Sequence, residues 1–72
     1  MRTFITTGYL VDYMVSTINS HPTKWETAVF AVNAGDKAPL RWSELDVQLS
    51  TTRREAAQTH IETTSKWSTE QS

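Results

Sequence analysis

From Trp25 to Asn33 apolar residues occupy both parities of the chain, Ala28, Phe30 and Val32 on one and Trp25, Val29 and Ala31 on the other. A strand apolar on both faces wants cover on both, so 25–33 is predicted as an inner strand. Ser43 to Ser50 follows a different rule. Leu45, Val47 and Leu49 alternate with Glu44, Asp46 and Gln48, the period-two pattern of a strand with one buried and one wet face. From Thr52 the period lengthens: Ala56, Ala57, His60, Ile61, Thr64 and Trp67 fall on one helical stripe. Thr52-Arg53-Arg54-Glu55 reads as a capping box, the Thr52 hydroxyl accepting from the Glu55 amide and Glu55 reaching back to the Thr52 amide. This predicts a helix over 52–67 and a frayed tail over 68–72.

The segment 3–18 supports two readings. As a strand pair, Thr3 to Thr7 comes first, Gly8 breaks it, and a second strand rich in Tyr, Val, Thr and Ile runs to Ile18. As a strand plus short helix, Leu10, Val11, Met14, Val15 and Ile18 form an amphipathic stripe. The β-branched Val11, Val15, Thr17 and Ile18 weigh toward the strand. Asn19-Ser20-His21-Pro22-Thr23 is a turn either way, short enough to join antiparallel neighbours. Asn33 to Pro39 is the next loop, with Gly35 available for a positive φ.

These elements assemble into one small α+β domain over 1–72: a three- to four-stranded antiparallel sheet with one C-terminal helix packed on a face. Leu45, Val47 and Leu49 are expected to meet Ala56, Ala57, Ile61 and Trp67, with Phe30 or Val29 between. The far side of the inner strand then wants a second cover, from the N-terminal segment, a second copy or a host protein.

A domain this short has a thin stability margin, and with no cysteine it has no disulfide or thiolate metal site to widen it. Its formal net charge is −1, with Arg53-Arg54 the one adjacent like-charged pair, so a nucleic-acid partner is disfavoured. The first residues are too polar for an export signal and no stretch is apolar enough to span a membrane, so a cytoplasmic chain with no membrane partner is expected.

His60 falls on the helical stripe and is expected to be a packed histidine with satisfied ring nitrogens; His21 precedes a proline in a turn and is expected to be solvated. No metal-ligand spacing, nucleophile motif or phosphate loop is present. An enzyme is not expected, and neither is a cofactor. Trp25 and Trp67 have places in the core, whereas Trp42 has none. Trp42 either caps the core or anchors a partner, together with Arg41, and with Tyr9 and Tyr13 if their strand face is open. Arg53 and Arg54, cations at a helix N-terminus, are the remaining partner-binding candidates.

Val15-Ser16-Thr17-Ile18, then Trp25-Glu26-Thr27-Ala28-Val29-Phe30, then Thr52-x-x-Glu55-Ala56-x-x-x-His60 resembles, in order and spacing, a group of small bacteriophage-encoded proteins of no settled activity. Ala28 stands where that group has methionine, Thr59 where it has glycine and Thr51 where it has serine. The resemblance covers residues 14 to 67 and transfers no catalytic residue. It implies a phage-derived, cytoplasmic, non-structural protein. The leading expectation is a binding protein that inhibits a bacterial host protein by occlusion, of the anti-defence or host-takeover type, with a homodimer allowed. A nucleic-acid-binding regulator using Arg41, Arg53 and Arg54, and a virion accessory protein, are the alternatives.

Overall fold

The computed structural model describes residues 1–41 and 43–69, of Thr69 the backbone alone. Strands β1 (Arg2–Ile5), β2 (Val11–His21), β3 (Lys24–Asn33) and β4 (Asp46–Ser50) are followed by helix α1 (Arg53–Thr69). The strands form one antiparallel sheet in the order β1-β2-β3-β4, a simple meander, and α1 lies across one face of it, touching every strand. The α+β class is as expected, and the N-terminal segment is the strand pair, not a helix. That segment widens the sheet; it does not cover the far side of β3.

The β2–β3 hairpin is tighter than the predicted turn. Both strands run on until only Pro22 and Thr23 separate them, with a register shift between Asn19 and His21. The Asn19 side-chain amide donates to the carbonyls of His21 (2.6 Å) and Lys24 (3.1 Å), supplying partners where the ladder breaks.

β4 begins only at Asp46, because the connection before it has its own path along β3. Pro39 bridges Val32, the Leu40 amide donates to the Ala31 carbonyl and the Leu45 amide to that of Val29. Gly35 does not use the positive φ available to it. Lys37 does, at 62°, and Gly8 at 85°. The Asn33 side chain explains why: its Oδ1 accepts from the Gly35 amide at 2.8 Å, which turns the chain without a left-handed residue there.

The register decides which side chains share a face. Val29 lies opposite Asp46, Thr27 opposite Gln48 and Trp25 opposite Ser50. The face under the helix therefore carries Asp46, Gln48 and Ser50, and Val47 and Leu49 point the other way; Leu45, before β4, lines a hollow with Ala31, a residue of the helix-side parity. This overturns the expected contact of Val47 and Leu49 with α1. On the helix, Ala56, His60 and Thr63 are buried and Trp67 is half-buried, while Ile61, assigned to the buried stripe, is 63% exposed. Ile5, Val15 and Val29 form the apolar core beneath α1, with Tyr13 and Trp67 against them.

The capping box is half as drawn. Thr52 Oγ1 accepts from the Glu55 amide at 3.1 Å, but Glu55 reaches one residue further, taking both the amide (3.1 Å) and the hydroxyl (2.6 Å) of Thr51. These donors hold the Glu55 carboxyl below its usual pKa, the Thr51 hydroxyl most of all. At the other end α1 continues through Ser68 and Thr69, into the expected tail; residues 70–72 lie outside the described ones.

Candidate functional site

On the open face the register stacks side chains in rows across the sheet. Phe4, Met14 and Phe30 make one row; Arg2, Ser16, Ala28 and Val47 the next; Ile18, Glu26 and Leu49 the third. The centre of the middle row is small, since Ser16 pairs with Ala28, and its neighbours are large. A hollow of about 230 Å³ results, lined by Arg2, Met14, Ser16, Ile18, Glu26, Ala28, Phe30, Glu44 and Val47. Met14, Ala28, Phe30 and Val32 are a buried cluster beside and beneath it. Around it Phe4, Ile18, Val47 and Leu49 stay exposed, Ile18 at 54% and Leu49 at 64%. Arg2, Glu26 and Glu44 belong to neither ion pair found among the described residues. The face is thus apolar with two acids and one cation at its hollow, suited to an apolar surface that carries a basic side chain.

The covered face is polar at its centre. Buried His60 sits between two threonines, Nε2 2.8 Å from Thr3 Oγ1 and Nδ1 2.7 Å from Thr17 Oγ1, and Thr17 Oγ1 lies 2.8 Å from Thr27 Oγ1. A neutral imidazole offers one donor and one acceptor, so the chain Thr3–His60–Thr17–Thr27 is satisfied in either tautomer. Burial, and then the nearby N-terminal ammonium, hold the His60 pKa below its ordinary value. His60 is the packed histidine the stripe predicted, tying α1 to β1 and β2. Ser50 Oγ meets Thr59 Oγ1 at 3.2 Å, and the Trp67 indole donates to Asp46 Oδ2 at 3.1 Å. That indole bond is the chief reason the Asp46 carboxyl is held low, helped by Gln48 and Lys66. Among the described residues no buried side-chain polar atom lacks a partner.

Near the open face, Asp12 ties two loops together. Its side chain is 1% exposed and accepts from Lys37 Nζ at 2.6 Å and from the Thr7 amide at 3.0 Å. Lys37, before Thr7, keeps the Asp12 carboxyl below its usual pKa.

The residues proposed from sequence for partner binding are not gathered at one place. Tyr13 is half-buried on the helix side, its ring 5.1 Å from that of Trp67 and tilted 51° to it, so its face is not open. Tyr9 is exposed in the β1–β2 connection. Arg41 lines a shallow hollow with Leu40, Ser43 and Leu45, whereas Arg54 lines another with Leu49, Glu55 and Gln58. Arg53 is exposed at the helix start, and Trp42 lies outside the described residues. The members of the open-face hollow went unnoticed in the sequence. The signal for them was the direct pairing of two small residues, Ser16 and Ala28, which only a correct register reveals.

No group of three or more histidine, cysteine or carboxylate side chains that could hold a metal is found among the described residues, and no described helix is long and apolar enough to cross a membrane. Comparison with protein families, with curated proteins and with solved structures finds no match for this chain.

Proposed function

We propose that this chain is a small protein-binding module that occludes a bacterial host protein with the open face of its sheet. The observation that carries the reading is the set of exposed apolar side chains there, Phe4, Ile18, Val47 and Leu49, around a hollow whose Arg2, Glu26 and Glu44 join no ion pair among the described residues. Large contiguous apolar patches on small domains mark places where another molecule sits. The hollow measures about 230 Å³. It is of the size that accepts one projecting side chain. The phage origin, the cytoplasmic setting in the host and the anti-defence or takeover role come from the motif resemblance and form part of the same proposal.

The test is affinity capture from host lysate with three variants beside the unaltered protein. Ala28→Met fills the hollow without changing charge, Ile18→Lys places a cation on the face, and Ile61→Lys places one on the outer side of α1. Capture of a bacterial protein that survives Ile61→Lys and is lost with the other two supports the reading. Capture indifferent to Ala28→Met and Ile18→Lys rules out this face.

A further inference from the structure

The sheet has two outer strands, and they differ in how they end it. β1 is four residues long and starts with Arg2, a charge of the kind that discourages edge pairing. β4 has five residues, Asp46-Val47-Gln48-Leu49-Ser50, with no lysine, arginine or proline and no register shift against β3. Among the described residues β4 pairs with β3 alone, and no backbone hydrogen bond from outside the sheet reaches it.

The strand is also complementary to itself. An antiparallel pair related by a two-fold axis through Gln48 places Val47 opposite Leu49 of the second copy, Asp46 opposite Ser50, and Gln48 opposite its counterpart. Such an axis, perpendicular to the sheet, keeps each side chain on its own face, so apolar meets apolar on the open side and polar meets polar on the helix side. All five residues of β4 are used. No two-fold register of β1 does as well, because conserving the faces there pairs three residues at most, and either sets Arg2 against Phe4 or leaves Arg2 unpaired.

We infer that β4 pairs with β4 of a second copy, giving a continuous eight-stranded antiparallel sheet with a helix on each half of one face. The open faces then lie side by side and remain free, so the dimer would present a bivalent version of the binding face. The contact is short and sits in the weak class of interfaces. Dimerisation does not depend on the host-protein reading, and it is measured without any host component.

Sedimentation equilibrium up to about 1 mM protein tests it, since weak contacts need high concentration to populate. The unaltered chain should show a concentration-dependent dimer. Gln48→Lys and Gln48→Glu each set like charges directly opposite and should each weaken it about fivefold, and an equal mixture of the two should restore it. Gln48 is exposed, so both variants should keep the far-ultraviolet circular dichroism of the parent. As a second arm, Gln48→Cys places two thiols across the two-fold axis at a spacing an antiparallel pair allows a disulfide to span. The chain has no other cysteine, so mild oxidation should give a covalent dimer with Gln48→Cys and none with Gln58→Cys on the helix. A chain that stays monomeric throughout the range overturns the proposal. So does a Gln48→Lys variant that dimerises as well as the parent or better, because a shifted register would set that lysine against Asp46.

Discussion

The two faces of this sheet reverse the ordinary relation between apolarity and cover. The helix lies on the face that carries Thr3, Thr17, Thr27, Asp46, Gln48 and Ser50 among its valines, and among the described residues Phe4, Ile18, Val47 and Leu49 stay exposed on the other. Apolar area alone would have chosen the opposite side. The helix, however, brings His60, Thr59, Thr63 and Trp67 to the interface, and these polar groups need partners once buried. Thr17, Thr3, Ser50 and Asp46 supply partners for His60, Thr59 and Trp67. The covered face is thus specified by hydrogen-bond matching around a modest apolar core. The open face buries Met14, Ala28, Phe30 and Val32 as a second apolar cluster and, among the described residues, leaves the large side chains around it exposed.

If the covered face is held by a few anchors, removing the largest should matter most. Trp67→Ala loses the contact with Tyr13 and the indole bond to Asp46, and should cost about 3 kcal/mol. Against a total of roughly 4–11 kcal/mol for 72 residues, that is a large share. Urea denaturation measures it, and a loss under 1 kcal/mol would show that α1 is held elsewhere. Thr17→Val keeps the shape but removes the hydroxyl between His60 and Thr27, stranding both. A loss of about 1–3 kcal/mol is expected. Restoring the hydroxyl with Thr17→Ser should recover most of it, an outcome that a purely steric role for the methyl group would not give.

Much of this architecture was legible before any coordinates. The β-branched run in 11–18, the alternation before Ser50 and the capping Thr52 each reflect a local preference, and each gave the right kind of element. What failed was orientation. Alternation states that Val47 and Leu49 share a face, but not that the helix chooses the other. That choice turns on Trp67 meeting Asp46 and Thr59 meeting Ser50, pairings between residues far apart in type from the usual core. The helical stripe differs in phase for the same reason: hydrophobicity favours Ile61 inside, whereas it is Thr63, with no apolar signal, that is buried. The binding hollow was illegible because it is an absence of volume, created where Ser16 meets Ala28 across two strands.

The covered face should also respond to acid in a way the open face does not. The folded-state pKa of His60 lies below its unfolded value near 6.5 because burial disfavours the imidazolium. The unfolded chain therefore takes up a proton first as pH falls, and stability should decline from about pH 6.5 downward. Asp12, Asp46 and Glu55 are lowered in the folded state, so their contributions persist above their unfolded values and fade only in a more acid range, below about pH 4. The midpoint of urea unfolding at pH 8 and at pH 5 separates the two ranges. His60→Gln should flatten the difference between those values; an unchanged slope would mean that another group titrates there.

The smallest effect on stability falls on the open face, and it is the sharpest test of the comparison. Ile18 is more than half exposed, so Ile18→Lys removes little buried area and should change stability by no more than about 0.5 kcal/mol. Its neighbour across the strand is Glu26, which a lysine can approach. A lysine at position 15, one face over in the same strand, would stand in the core against Val29 and Ile5 and should prevent folding. If Ile18→Lys instead costs several kcal/mol, the open face is already part of a folded core, covered in solution by more than the described residues, and the distinction between the two faces fails. If the cost is small and host-protein capture is lost, Ile18 contributes to recognition and not to the stability of the fold.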